Sequence, residues 1–171
     1  MAPRFTVDWE DWFSARYPFS RLCDWKIVEP TEYLLKLMKD NYIKGAFYCL
    51  GTTMENYRKL YQQIVLDGHW IYDHGYEHVP DAQPYNGRDF RKPFEFLHFT
   101  GGFWFRFLPY WLIKRQVLKH QHFYIHPHDI MLEHPKTSSW WLNLKRNWGL
   151  KGARKKLERL VKEVYRNRST R

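Results

Sequence analysis

The most constraining feature of this sequence is the alternation of short apolar runs with amphipathic runs along its first half. Strands are predicted at 4–7, 46–50 and 70–73, because these runs are short, apolar and followed by acidic residues, glycine or histidine. Helices are predicted at 30–41 and about 53–67, where apolar residues recur at helical spacing. Strand–helix alternation is typical of parallel strands covered by helices, so the sequence predicts an α/β fold.

The second half of the chain is less regular. Residues 79–102 contain three prolines and a Gly-Gly pair, and this composition predicts a loop with at most one strand. A helix is predicted to begin at Pro109, a strand at 122–126, and a basic amphipathic helix at about 150–166. The chain, 1–171, is 44% hydrophobic and long enough for one core, so we expect a single domain.

Residues that bind metals or transfer protons stand at the ends of three predicted strands. In chain order they are Asp8, Glu10, Asp11, His74, His78 and His126. Catalytic groups collect at the carboxyl ends of parallel strands. His74 and His78 are four residues apart, so on a helical turn both imidazoles can share one metal ion. Taken alone, the pair is weak evidence, because surface histidines at this spacing occur by chance. The acidic residues are likewise compatible with a solvated loop or a helix cap.

The chain has a formal net charge of +10, much of it near the C-terminus. The helix at about 150–166 is expected to bury its apolar stripe and to expose Lys151, Arg154, Lys155, Arg159 and Lys162. This charge is compatible with nucleic acid, an anionic membrane or an acidic polymer. No nucleic-acid-binding motif is present, so we expect no nucleic-acid partner. Peripheral contact with an anionic membrane is the hypothesis, and a merely solvated helix face is its alternative.

Other features of the sequence predict a soluble, cytoplasmic protein. Residues 1–4 lead directly into the first strand, and no apolar run has the ~20 residues of a membrane span. Cys23 and Cys49 lack metal-type spacing and predict free thiols or one disulfide. The nine tryptophans are compatible both with a sugar-binding surface and with a core.

Four segments, in this order, resemble the polysaccharide deacetylase family, the NodB-homology carbohydrate esterases. They are TVDWEDWF at 6–13, GAFYCLG at 45–51, GHWIYDHGYEH at 68–78 and YIHPHDI at 124–130. The resemblance implies an irregular (β/α) barrel, open or trimmed because this chain is short. It also implies one divalent metal at the carboxyl-terminal rim, most commonly zinc, with cobalt, nickel or manganese as alternatives.

The resemblance implies the metal ligands. His74 and His78 take the places of the two histidine ligands, and the second acidic residue of the opening motif takes the place of the carboxylate ligand. Because this chain has Trp9 inserted in that motif, the carboxylate ligand is either Glu10 or Asp11.

The resemblance also implies catalytic roles. Asp8 takes the place of the general base and His126 that of the general acid, with His128 as the competing histidine. Arg91, in an Arg-x-Pro motif that comes early in the chain, takes the place of the arginine that braces the catalytic Asp. The remaining histidines are interpreted as structural or surface residues (His69, His98) or as solvated ones (His120, His122, His134).

The implied activity is metal-dependent hydrolysis of N-acetyl or O-acetyl groups. The expected substrate is an acetylated sugar, polysaccharide or lipid-linked saccharide in surface-polysaccharide biosynthesis. The alternative is a catalytically degenerate member of the family that binds glycan or metal without turnover. The shortened segment between His78 and Gly101 favours that alternative. The sequence does not predict an oligomeric state.

Overall fold

A computed structural model describes residues 4–11, 25–76, 100–134, 136 and 140–166 of the chain. Its four strands form one sheet in which every neighbouring pair is parallel, in the order β3-β2-β1-β4. The strands are β1 (Arg4–Trp9), β2 (Ala46–Cys49), β3 (Trp70–Asp73) and β4 (His122–Ile125). The predicted α/β class is therefore confirmed. The predicted barrel is not confirmed, because the described strands form an open sheet with β3 and β4 at its edges.

Seven α-helices lie in the described part of the chain. They are α1 (Val28–Asp40), α2 (Gly51–Asn56), α3 (Arg58–Leu66), α4 (Gly102–Phe107), α5 (Tyr110–His120), α6 (Trp140–Asn147) and α7 (Leu150–Leu160). A π-helical turn, Val161–Tyr165, continues α7, and 3-10 turns lie at Trp25–Ile27 and Pro127–Ile130. None of the helices in this part of the chain has the length and apolar character of a bilayer span.

The central strand β1 is buried on both faces, as in other parallel sheets covered by helices. Phe5, Val7 and Trp9 point to one face and are at most 2% exposed. The Trp9 indole Nε1 donates a hydrogen bond to Thr31 Oγ1 on α1 at 3.1 Å. Trp9 is therefore a core residue that ties β1 to α1.

Two helices differ from the sequence-based expectation. The aromatic run 102–107 has no helical periodicity, yet it forms α4. Its C-terminal end is stabilised by the Lys156 ammonium, which donates to the carbonyls of Phe105 and Leu108 at 2.8 and 2.7 Å. Helix α6 was not predicted because its tryptophans face solvent, so the segment lacks an inward apolar stripe. Both helices depend on their tertiary surroundings.

The C-terminal helix buries the expected apolar stripe. Its buried residues are Leu150, Ala153, Leu157, Leu160, Val161 and Val164. Of the five cations expected on the opposite face, two have acidic partners. Arg154 binds the Glu29 carboxylate through two hydrogen bonds, and Arg159 pairs with Glu163 at 2.8 Å. Lys151, Lys155 and Lys162 are exposed. The basic face of α7 is therefore smaller than the sequence suggested.

Two glycines near the start of α7 give a matched test of this packing. Gly149 has a φ of 70°, and a Cβ added there would lie 2.4 Å from the carbonyl oxygen of Arg106. We expect Gly149→Ala to lower the free energy of unfolding by about 2 kcal/mol, because both the backbone and the contact are strained. Gly152, inside α7, has open space around it. We expect Gly152→Ala to raise stability by about 0.5–1 kcal/mol through helix propensity. Urea unfolding of the two variants measures both effects, and equal effects would contradict the packing of α7 on α4.

Candidate active site

The carboxyl ends of β1, β3 and β4 bring the candidate residues together. Asp8 lies near the end of β1 and Glu10 follows it; these two are called the β1 carboxylates below. His74 follows β3 and His126 follows β4. In the sheet, β2 and β3 lie on one side of β1, and β4 lies on the other side. Ligands of open parallel sheets bind where the strand order reverses in this way.

Glu10 lies between the two histidines. Its Oε2 is 3.5 Å from His74 Nε2, and its Oε1 is 3.5 Å from His126 Nε2. Asp8 Oδ2 is also 3.5 Å from His126 Nε2. Both β1 carboxylates are buried, with 6% exposure for Asp8 and 3% for Glu10. Asp11 is buried as well. The structure therefore gathers Asp8, Glu10, His74 and His126 into one cluster.

The donor atoms of His74 and Glu10 have a spacing suited to a shared cation. Two ligand atoms about 2.1 Å from one tetrahedral zinc ion lie roughly 3.4 Å apart. The 3.5 Å separation of His74 Nε2 and Glu10 Oε2 is close to that value. Imidazole and carboxylate are also the donor types that zinc and its neighbours accept. The residues present therefore fit a divalent metal. His78 and Arg91 lie outside the described residues, so their roles stay predictions.

His126 is oriented by Asp129, three residues further along the 3-10 turn. The His126 Nδ1–H donates to Asp129 Oδ2 at 3.0 Å, and the His126 backbone N–H donates to the same oxygen at 3.1 Å. Burial lowers the pKa of His126, but the hydrogen bond and charge of Asp129, together with the β1 carboxylates, raise it to about 9. The imidazole is therefore protonated near neutral pH, with Nε2–H directed at the β1 carboxylates.

Arg106 holds Asp129 in turn. The Arg106 Nε lies 3.2 Å from Asp129 Oδ1, and both side chains are at most 5% exposed. The Nη1 of Arg106 donates to the backbone carbonyl of Arg146 at the end of α6. Burial alone would raise the pKa of Asp129, but the hydrogen bond from His126 and the surrounding positive charge hold it well below its usual range. Asp129 is thus an ionised link between Arg106 and His126.

Sequence reasoning assigned no role to either Asp129 or Arg106. Asp129 was visible as an acid three residues after His126, a spacing that lets a side chain fold back onto one turn. Arg106 lies in the aromatic run that forms α4, and no local pattern connects it to a catalytic motif. Only the packing of α4 against the 3-10 turn brings the guanidinium to Asp129.

His128 is less suited than His126 to donate a proton. Its ring stacks on that of His126, with centroids 4.5 Å apart and planes at 14°. Burial, reinforced by the positive charge of His126, lowers the pKa of His128 to about 3, so the ring is neutral at pH 7. His126, His128 and Asp129 have potential ligand atoms within 4.8 Å of one another and form a second candidate cation site. The cation Arg106 already beside Asp129 makes this group the weaker candidate.

Two histidines interpreted as solvated are buried instead. His122 Nε2 lies 3.0 Å from Thr6 Oγ1 in the neighbouring strand, and His134 Nε2 donates to the His128 carbonyl at 2.6 Å. That interpretation was wrong because local polarity does not reveal which side of a strand or turn faces the interior. His69 accepts a hydrogen bond from the Gly45 amide, in agreement with its interpretation as a structural residue.

Comparison with family models gives two matches that together span most of the chain. Residues 23–97 match the polysaccharide deacetylase family. Residues 90–170 match a domain of unknown function, DUF3473. No curated protein and no solved structure gave a match. The resemblance read from the sequence is confirmed, and the family indicates a carbohydrate hydrolase that deacetylates polysaccharides.

The candidate site is assembled from three parts of the chain. The β1 carboxylates precede both matched segments, and His74 lies within the deacetylase segment. His126, Asp129 and Arg106 lie within the second matched segment. The segment of unknown function therefore contributes side chains to the cluster beside the deacetylase residues.

The buried pair of Arg106 and Asp129 gives a stability prediction. Asp129→Asn would leave the guanidinium buried without its counter-charge, so we expect the free energy of unfolding to fall by about 3–5 kcal/mol. The matched control is Asp40→Asn, which removes an exposed pair with Lys36 and should cost less than about 1 kcal/mol. Denaturant unfolding measures both variants. If Asp129→Asn lowered the free energy of unfolding no more than Asp40→Asn does, the pairing of Arg106 with Asp129 would be contradicted.

Proposed function

We propose that this chain is a metal-dependent deacetylase that removes N-acetyl or O-acetyl groups from a sugar, polysaccharide or lipid-linked saccharide. The main support is the cluster at the carboxyl edge of the sheet, where Glu10 lies 3.5 Å from both His74 and His126. A general base, a general acid and a pair of metal-type donors are the groups that this hydrolysis requires. A role in surface-polysaccharide biosynthesis and a cytoplasmic location stay predictions.

His74 and Glu10 are the proposed metal ligands, with His78 as the third. Glu10 is favoured over Asp11 as the carboxylate ligand because its oxygen lies beside the His74 nitrogen. Zinc is the proposed ion, and cobalt, nickel or manganese are alternatives that suit the same donors. When bound, such an ion polarises the acetyl carbonyl and makes water more acidic.

Asp8 is the proposed general base. Its buried carboxylate lies at the end of β1, next to the donor pair, and would take a proton from the water that attacks the acetyl carbon. Arg91 is proposed to brace this carboxylate, as the corresponding arginine does in the family. Attack of the water forms the new C–O bond of acetate.

His126 is the proposed general acid. Its Nε2–H would donate a proton to the leaving amine or alkoxide as the C–N or C–O bond breaks, so the products are acetate and a free amine or hydroxyl group. Asp129 accepts the Nδ1–H and keeps the ring in one orientation, while Arg106 holds Asp129. Asp129 and Arg106 are therefore positioning residues.

The function is tested by metal analysis of the purified protein combined with acetate release from N-acetylated and O-acetylated oligosaccharides. Bound metal with acetate release supports the proposal. Bound metal without release would indicate the degenerate family member that binds its ligands without turnover. Absence of both would contradict the proposed site.

If Glu10 is the carboxylate ligand, isosteric variants of Glu10 and Asp11 should differ in metal affinity. We expect Glu10→Gln to weaken metal binding by more than about 100-fold, beyond the 10–100-fold typical of residues behind the ligands. Asp11→Asn should retain most of the metal. Titration with a fluorescent zinc chelator measures both affinities. The reverse order would make Asp11 the ligand.

Substitution of the proposed base or the proposed acid should abolish turnover but leave the metal bound. We expect Asp8→Asn and His126→Ala each to lower the rate of acetate release by about 10²–10⁴-fold. Metal content, measured on the same samples, should stay close to that of the wild type. A variant that loses its metal together with its activity would show that the residue is a ligand.

A further inference from the structure

Helix α6 presents an apolar face to solvent. Trp140, Trp141, Leu144 and Trp148 are 74%, 58%, 46% and 51% exposed. At 100° per residue these four positions occupy an arc of about 100° on one side of the helix, because the Trp148 amide still donates to the Leu144 carbonyl. A helix of a soluble protein normally turns such a stripe towards the core. A contiguous exposed apolar patch indicates an interaction surface.

Positive charge surrounds this face. Residues 134–157 contain no Asp or Glu, and four of their seven Lys and Arg residues are exposed, namely Lys136, Lys145, Lys151 and Lys155. Lys145 lies on α6 itself, and Lys151 lies at the start of α7, three residues after Trp148. Phe107 on α4 extends the patch, with its ring 5.8 Å from that of Trp148. The partner of this face should therefore be both apolar and anionic.

We propose that this α6 face, made of Trp140, Trp141, Leu144, Trp148, Lys145 and Lys151, docks the protein on an anionic lipid bilayer. Tryptophan rings prefer the boundary between headgroups and acyl chains, and lysines next to them bind anionic headgroups. The helix lies in the plane of the interface and does not span the membrane. Docking requires no turnover, so it stands independently of the deacetylase assignment.

The orientation of the rings favours lipid over a glycan chain as the partner. A glycan binds to flat aromatic platforms, but the planes of Trp140 and Trp141 are 73° apart and those of Phe107 and Trp148 are 41° apart. Leu144 adds an aliphatic side chain between them in the helical stripe. Protruding rings of mixed orientation insert readily among acyl chains.

The face is also structurally connected to the candidate active site. Arg106 donates to the carbonyl of Arg146 at the end of α6 and pairs with Asp129, which orients His126. The residues that orient the proposed general acid are therefore anchored to the helix that docks. This connection, which rests on the proposed function, is compatible with a substrate carried on a lipid.

Vesicle co-sedimentation of the full chain tests the proposal, with phosphatidylcholine vesicles that do or do not contain about 30 mol% phosphatidylglycerol. We expect binding to the anionic vesicles only, with affinity that falls as salt rises. Lys145→Gln with Lys151→Gln should weaken binding by more than about tenfold, since each lysine near the surface contributes about fivefold. Trp140→Ser with Trp141→Ser should abolish most of the vesicle binding that persists at high salt.

Matched controls separate this face from general charge and hydrophobicity. Trp70→Ser removes a tryptophan of equal exposure, 58%, on the edge strand β3. Lys39→Gln with Lys59→Gln removes two exposed lysines from α1 and α3. We expect both controls to bind vesicles as the wild type does, and all variants to unfold at the wild-type temperature.

Four results would overturn the proposal. They are an absence of vesicle binding at low salt, equal loss of binding in the control variants, and stronger α6-dependent binding to an acidic polysaccharide than to vesicles. The fourth is a stable dimer in light scattering that the α6 substitutions convert to monomer, which would assign the face to a second copy of the chain. Acetate release from soluble oligosaccharides should be unchanged in the α6 variants, so a failed docking test leaves the deacetylase proposal intact.

Discussion

The candidate site depends on the burial of β1 in the middle of a parallel sheet. Alternation along the strand sends Phe5, Val7 and Trp9 into the core and leaves Asp8 on the opposite face, near the carboxyl edge. Because β2 and β4 both run parallel to β1, the residues that follow all the strands meet at that edge. Strands in any other relative direction would send His74 or His126 to the far end of the sheet.

Burial of several acidic residues at this edge creates an electrostatic requirement for nearby positive charge. Asp8, Glu10, Asp11 and Asp129 are all at most 6% exposed, and buried carboxylates are costly unless they are paired. Arg106 and the protonated ring of His126 supply part of that charge. A divalent ion between Glu10 and His74 would supply more, in the position where the proposed chemistry needs it.

The Arg106–Asp129–His126 arrangement joins the helical second half of the chain to the catalytic edge. Arg106 belongs to α4 and Asp129 to the 3-10 turn after β4. The carbonyl that accepts a hydrogen bond from Arg106 belongs to Arg146, near the end of α6. Gly149, in the left-handed region, lets the chain turn from α6 into α7 against the Arg106 carbonyl. Through these contacts the segment matched by the domain of unknown function supports the geometry of the proposed general acid and positions the exposed tryptophans of α6.

The sequence by itself determined the α/β class, the four strands and the residues at their ends, because hydrophobic periodicity and motif spacing are local properties. It also predicted the resemblance to the polysaccharide deacetylase family, and the motifs near β2 and β3 lie in the segment that matches that family. Tertiary structure decided that the described strands form an open sheet, that Glu10 lies beside His74, and that Arg154 and Arg159 are paired with Glu29 and Glu163. It alone revealed Arg106 and α6. Each of these features depends on contacts between residues far apart in the chain, and such contacts produce no periodic pattern in the sequence.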